Sequence, residues 1–192
     1  MIEENNNKCT SSNGSDSVVE RAAATTEQKF TVRPIRADDA DRIYDYFQSF
    51  SERTKHFFMP HAIDRAFAEK LANEDRLDPN TNRFVAVTCS GNREIVVGYV
   101  FFWNWTKRVP WLGIGVRDGF QSRGLGSLMM RYAVDTALAY KKGGILLTTL
   151  QDNIRAQGLY RKFGYEIIGR DMRDEFLLIL NFPDKNIGAT SL

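Results

Sequence analysis

The chain has 192 residues, 43% of them hydrophobic, and its 13 Phe, 7 Tyr and 3 Trp supply enough bulk for the core of one globular domain. A formal net charge of +2 gives no electrostatic case for nucleic acid or an anionic membrane surface as a partner. No apolar run approaches the roughly 18–20 residues of a membrane helix, and the 2 His and 2 Cys show no metal-ligand spacing, so a structural metal site is not expected.

Residues 1–28 are rich in Asn, Ser, Thr and Glu and poor in large apolar side chains. Such a segment cannot bury enough surface to offset its ordering entropy, so it reads as a disordered tail. It lacks a basic region followed by an apolar stretch and does not read as a secretory signal. Reduced cysteines and a cytoplasmic setting are therefore expected for Cys9 and Cys89, with a disulfide as the less supported alternative.

The folded part is expected to span 29–183, followed by a short tail at 184–192. Phe30, Val32 and Ile35 mark a strand whose Pro34 suits an edge or an end. Asp38 or Asp39 can cap a helix with an Ile43, Tyr46, Phe47, Phe50 stripe, and Ser51 can cap a second short one. A third helix fits 63–75, where Ile63, Phe67 and Leu71 recur every four residues. Strands are predicted at 83–89 and 94–104, joined by a tight turn at Ser90-Gly91-Asn92-Arg93, and at 111–116. The long helix 124–141 carries Leu125, Leu128, Met129, Tyr132 and Ala133 on one face and is expected to end at Gly143-Gly144. A buried strand at 145–150, a helix from Asn153 to Phe163 closed by Gly164, and two final strands complete the chain. The order specifies an α/β fold with a mixed, mostly antiparallel twisted sheet flanked by helices.

The most informative stretch joins the 111–116 strand to the long helix: Gln121-Ser122-Arg123-Gly124-Leu125-Gly126-Ser127. Glycines 124 and 126 allow a sharp turn and close approach of a ligand to the backbone. The unbonded N–H groups of the first helical turn then favour an anion, and Arg123 can add charge. A phosphate or pyrophosphate site is one reading; a glycine turn that packs helix on sheet is the other. Neither standard nucleotide motif fits, because Leu125 stands where a P-loop needs Lys and Met129 where a dinucleotide fold needs a third Gly.

Gln121 to Gly126 resembles the Q/R-x-x-G-x-G/A signature of the GNAT superfamily of N-acetyltransferases. Asn153-Ile154-Arg155-Ala156-Gln157-Gly158-Leu159-Tyr160-Arg161-Lys162-Phe163-Gly164-Tyr165 resembles that superfamily's N-x-x-A-x-x-x-Y-x-x-x-G-F/Y segment. The two stand in the family's order, and the likeness covers about residues 30–182. It implies the acyl-CoA N-acyltransferase fold, with acetyl-CoA as co-substrate and an amine, small or protein-borne, as acceptor; a homodimer is compatible with it. It also implies that the strand before the loop splays from its neighbour, that Ile114, Gly115 and Val116 receive the pantetheine arm, and that the amides of 122–127 receive the pyrophosphate, with Gln121 opening the loop. The bare glycines 113 and 115 would leave room for a ligand on the strand face. Asn153 would cap its helix and touch the cofactor. Tyr160 would protonate the departing thiolate, since a phenol is protonated at neutral pH. Arg155 and Lys162 can reach phosphates or remain surface charge.

One part of the family pattern is missing. WLGIGV and ILLTTL, the strands where family members often carry a Glu general base, hold no carboxylate. Glu94, Asp118 and His61 are candidates at positions the motif does not support. His56 to His61, and Trp103, Trp105 and Trp111, can line an acceptor pocket or fill the core. Two functions follow: an acetyl-CoA-dependent N-acetyltransferase, or a non-catalytic acyl-CoA sensor on the same fold. Release of CoA thiol in the presence of amines separates them.

Overall fold

A computed structural model of the chain describes residues 28–58 and 62–183. The expected tails at 1–28 and 184–192 lie almost wholly outside the described residues, as do Met59 and His61.

The elements run β1 (Thr31–Pro34), α1 (Ala40–Gln48), α2 (Glu52–Phe57), α3 (Arg65–Asn73), β2 (Thr81–Ser90), β3 (Arg93–Trp103), β4 (Trp111–Val116), α4 (Leu125–Ala139), β5 (Gly144–Thr149), α5 (Ile154–Lys162), β6 (Glu166–Arg170) and β7 (Phe176–Asn181). The strands form one sheet of order β1-β2-β3-β4-β5-β7-β6. All neighbours pair antiparallel except β4 and β5, which are parallel. β1, with its terminal Pro34, is an edge strand as its proline requires.

The period-two alternation of β2, β3 and β4 builds two cores, one on each face of the sheet. On one face, Val85, Tyr99 and Phe101 meet Ile43, Tyr46 and Phe47 of α1 and Leu71 of α3. On the other, Val100, Phe102 and Leu112 meet Leu125, Met129, Met130 and Ala133 of α4, together with Tyr160 of α5. Each fully buried side chain of this size contributes about 1.5–3 kcal/mol. An ion-pair cluster tacks β1 to the start of α1: Arg33 donates to both oxygens of Asp39, at 2.6 and 2.8 Å, and to Glu94 at 2.6 Å.

Helix ends follow local chemistry. Ser51 accepts from the Thr54 N–H and Asp64 from the Phe67 N–H, capping α2 and α3. α4 ends differently from the expectation. Lys141, not a glycine, takes the left-handed conformation at φ 54°, and the Lys142 N–H returns to the Ala137 carbonyl. Gly143 and Gly144 serve close packing instead: a Cβ on the first would strike the Arg108 side chain, and on the second the Leu180 carbonyl. Cys89 also departs from the expected reduced state, since it is disulfide-bonded; Cys9, the other cysteine of the sequence, lies outside the described residues.

Candidate active site

β4 is the strand on which the site turns. It pairs with β3 at six successive positions, Gly98↔Val116 through Trp103↔Trp111. Against β5 it pairs only at Trp111↔Leu146, while β5 itself pairs with β7 from Gly144 to Thr149. The two halves of the sheet thus part company beyond Trp111 and leave a wedge. Hydrogen bonds fix which backbone groups face it. The Arg117 N–H donates to Val97 on β3, and the Pro110 carbonyl accepts from Leu146 on β5. Alternation along the strand then turns Gly113 and Gly115 toward β3, and Ile114 and Val116 toward the wedge.

The wedge opens into a cavity of about 1030 Å³. At one end lies the loop leading to α4. Ser122 (φ 61°) and Gly124 (φ 79°) are left-handed there, and the second is the N-cap of α4. Among the described residues, no acceptor bonds the backbone N–H of any residue from Ser122 to Ser127. Six amides and the positive end of a helix of 15 residues, Leu125–Ala139, are presented together. Gly124 leaves open space where a Cβ would stand. An array of this kind can receive the oxygens of an anion such as a phosphate.

Gln121 and Asp118 brace the loop. The Gln121 amide group donates to the Val116 carbonyl, Thr54 Oγ1 and Asp118 Oδ1, each at 3.2 Å, and its oxygen accepts from Arg155 at 2.7 Å. Asp118 accepts from the Ser51 N–H and the Thr54 hydroxyl, both at 2.6 Å. Burial alone would raise the Asp118 carboxyl, but these bonds outweigh it and hold the carboxyl below its usual range. Its lone pairs are committed to holding α2 over the loop, which makes it a poor proton acceptor. Glu94, bound to Arg33, does not border this cavity.

Tyr160 enters the cavity from α5. Burial pushes its phenol well above the ordinary value, so the proton stays on at neutral pH. Asn153 caps α5 by accepting from the Ala156 N–H at 3.3 Å and borders the same cavity. Arg155 also borders it, whereas Lys162 does not.

The far end of the cavity is aromatic. Phe101 and Trp103 of β3 form a floor beside α2, whose last residue Phe57 and the following Phe58 also line the cavity. The glycines of β4 make room for these rings, and both also border the cavity. A Cβ on Gly113 would come within 2.4 Å of the Phe101 ring, and one on Gly115 within 2.5 Å of Phe58. The tryptophans divide: Trp103 stacks on Trp111 at 6.1 Å, whereas Trp105 joins the core on the α4 face under the Lys142 ammonium.

Residues 40–165 match the acetyltransferase (GNAT) family. The chain belongs to that family. A streptothricin acetyltransferase from Streptomyces lavendulae is 30% identical over 96 residues, which is 49% of this chain and 49% of the relative. The chain thus matches about half the length of that curated relative. GNAT structures share the fold at low identity. The ribosomal-protein-S5-alanine acetyltransferase of Vibrio fischeri superposes with TM-score 0.71 at 17% identity, covering 81% of this chain and 94% of its own. The Vibrio cholerae spermidine N-acetyltransferase, solved with CoA and spermine, gives 0.64 at 18% identity over 79% and 95%.

Within this GNAT domain, Ile114, Gly115, Val116, Gln121, Ser122, Gly124, Gly126, Ser127, Asn153 and Tyr160 all border one cavity. Two of the loop residues do not. Arg123 bonds Gln28 and lies over the Phe120 ring, and Leu125 is buried in the α4 core. The sequence reading missed Asp152, which meets His56 at 3.3 Å, and Glu175, beside Arg173 at 3.3 Å. Both carboxylates border the cavity. Glu175 lies at the head of β7, and pairing β7 with β5 in the sequence would have set it beyond Thr149, at the mouth of the wedge.

Proposed function

We propose that residues 29–183 form an acetyl-CoA-dependent N-acetyltransferase acting on a primary amine. The observation that carries this reading is the row of unbonded amides from Ser122 to Ser127 at one end of the β4–β5 wedge. A diphosphate there places its attached arm along the wedge, where Ile114 and Val116 turn their backbone groups. A backbone N–H of β4 that faces the wedge, at Ile114 or Val116, can also polarise the thioester carbonyl and hold its oxyanion. Tyr160 then stands to protonate the sulfur as the C–S bond breaks. Leu125 and Arg123 serve the loop by anchoring it from behind. The relative solved with CoA and spermine supports an amine as the acceptor class.

The test is calorimetric titration with CoA, followed by thiol release from acetyl-CoA with a panel of amines. Saturable binding and amine-dependent release are expected. Binding without release above background would replace the enzyme with a non-catalytic acyl-CoA sensor.

A further inference from the structure

We infer that Glu175 is the general base that removes the proton of the acceptor amine. The inference rests on the acetyltransferase reading and fills the gap left by WLGIGV and ILLTTL, neither of which holds a carboxylate. Placement is the first argument. Phe176 packs into the core on the α4 face, so alternation turns its neighbour Glu175 to the opposite face of the sheet. Arg173, which contacts Glu175, reaches Thr148 Oγ1 of β5 at 3.4 Å and borders the same cavity. Glu175 therefore stands on the same face of the sheet as the Phe101 and Trp103 floor, beyond Thr149 at the mouth of the wedge.

Burial is the second argument. A base for an amine must meet it out of bulk water, close to the thioester. The Glu175 side chain is 16% exposed. The competing pair, His56 with Asp152, is 56% and 65% exposed and spans the lip of the cavity. Geometry is the third. The Glu175 N–H is held by Asp171 Oδ1 at 3.0 Å, and Arg173 donates to one carboxylate oxygen, leaving the other for a substrate N–H.

The transfer balances as follows. An alkylammonium near pKa 10.4 gives one proton to the Glu175 carboxylate, which passes it to solvent. The freed nitrogen lone pair forms the C–N bond, and the C–S bond breaks with its electrons on sulfur. The second N–H proton replaces the one Tyr160 delivers to the thiolate. An ammonium and acetyl-CoA thus yield an N-acetyl amine, CoA thiol and one proton.

Glu175→Gln keeps shape and hydrogen bonding but accepts no proton. With the full chain we expect unchanged CoA affinity by calorimetry and a loss of about 10²-fold or more in kcat with a strongly basic alkylamine. With a weakly basic amine, already neutral at pH 7, the loss should fall below about tenfold. Glu175→Asp should recover part of the alkylamine rate. Equal losses on both amines, a change within twofold, or the same amine-dependent loss in His56→Gln and not in Glu175→Gln would each overturn the inference. Failure of the unaltered protein to bind CoA would instead remove the reading on which it rests.

Discussion

Replacing Gly124 by Ala tests the phosphate cradle without adding bulk to it. Gly124 sits at φ 79°, ψ −9°, and no atom lies within 4 Å of the place its Cβ would take. The substitution therefore meets no clash, and its whole cost is backbone strain, about 1–2 kcal/mol for a non-glycine residue in the left-handed region. If the loop keeps its shape, that cost appears as lost stability and CoA affinity is unchanged. If the free loop relaxes, the strain returns on binding and weakens CoA by about 5- to 30-fold, at a tenfold change per 1.4 kcal/mol. Among the described residues no backbone N–H from Ser122 to Ser127 is bonded, and only the Gly124 carbonyl, accepting from the Leu128 N–H at 3.0 Å, ties residue 124 to the helix, so relaxation is the expected outcome. Gly124→Asn, which tolerates this conformation better, should lose less. Calorimetric titration with CoA and thermal unfolding of the three proteins read both quantities. An alanine variant with native affinity and native stability would refute the reasoning.

Three further outcomes follow from the same geometry. Tyr160→Phe should lower kcat by about 10²-fold with CoA affinity within threefold, measured by thiol release and calorimetry, because the phenol is buried and protonated. Gly115→Val should push the Phe58 ring off the strand, since even a Cβ falls 2.5 Å from it, and should raise the acceptor KM more than that of acetyl-CoA. Asp39→Asn should cost about 1–3 kcal/mol in chemical unfolding by removing the buried carboxylate charge beside Arg33, which then keeps only Glu94. Burial alone would raise the Asp39 carboxyl, but bonds from Arg33 and the Arg36 N–H hold it below its ordinary 3.8. Its contribution is therefore present above about pH 4 and lost as pH falls through the lower folded value, so the variant should flatten the acid limb of the stability curve.

The sequence made the elements legible where periodicity and caps agreed. Ser51 and Asn153 cap the helices they precede, and the two-residue turn at Gly91-Asn92 sets the β2–β3 register. The turn at Gly124 was legible because a sharp strand-to-helix junction calls for a residue free to adopt the left-handed conformation, here φ 79°. Residues brought together across the wedge were not. Glu175 follows β6 in the chain and reaches the mouth of the wedge only because β7 pairs with β5, a long-range register that local pattern does not encode. What packs beside the glycines of β4 was not legible for a related reason. Their hollows are filled by rings from β3 and α2, and only packing shows which partner arrives. Asp118 likewise resembles a free carboxylate until α2 is folded onto it.

Residue-resolved amide exchange with and without CoA measures the central claim most directly. Protection should rise from Ser122 to Ser127 and at Ile114 and Val116, which face the wedge. It should stay level at Gly113 and Gly115, whose N–H groups already face β3. Uniform protection along β4, or none at the loop, would contradict the account.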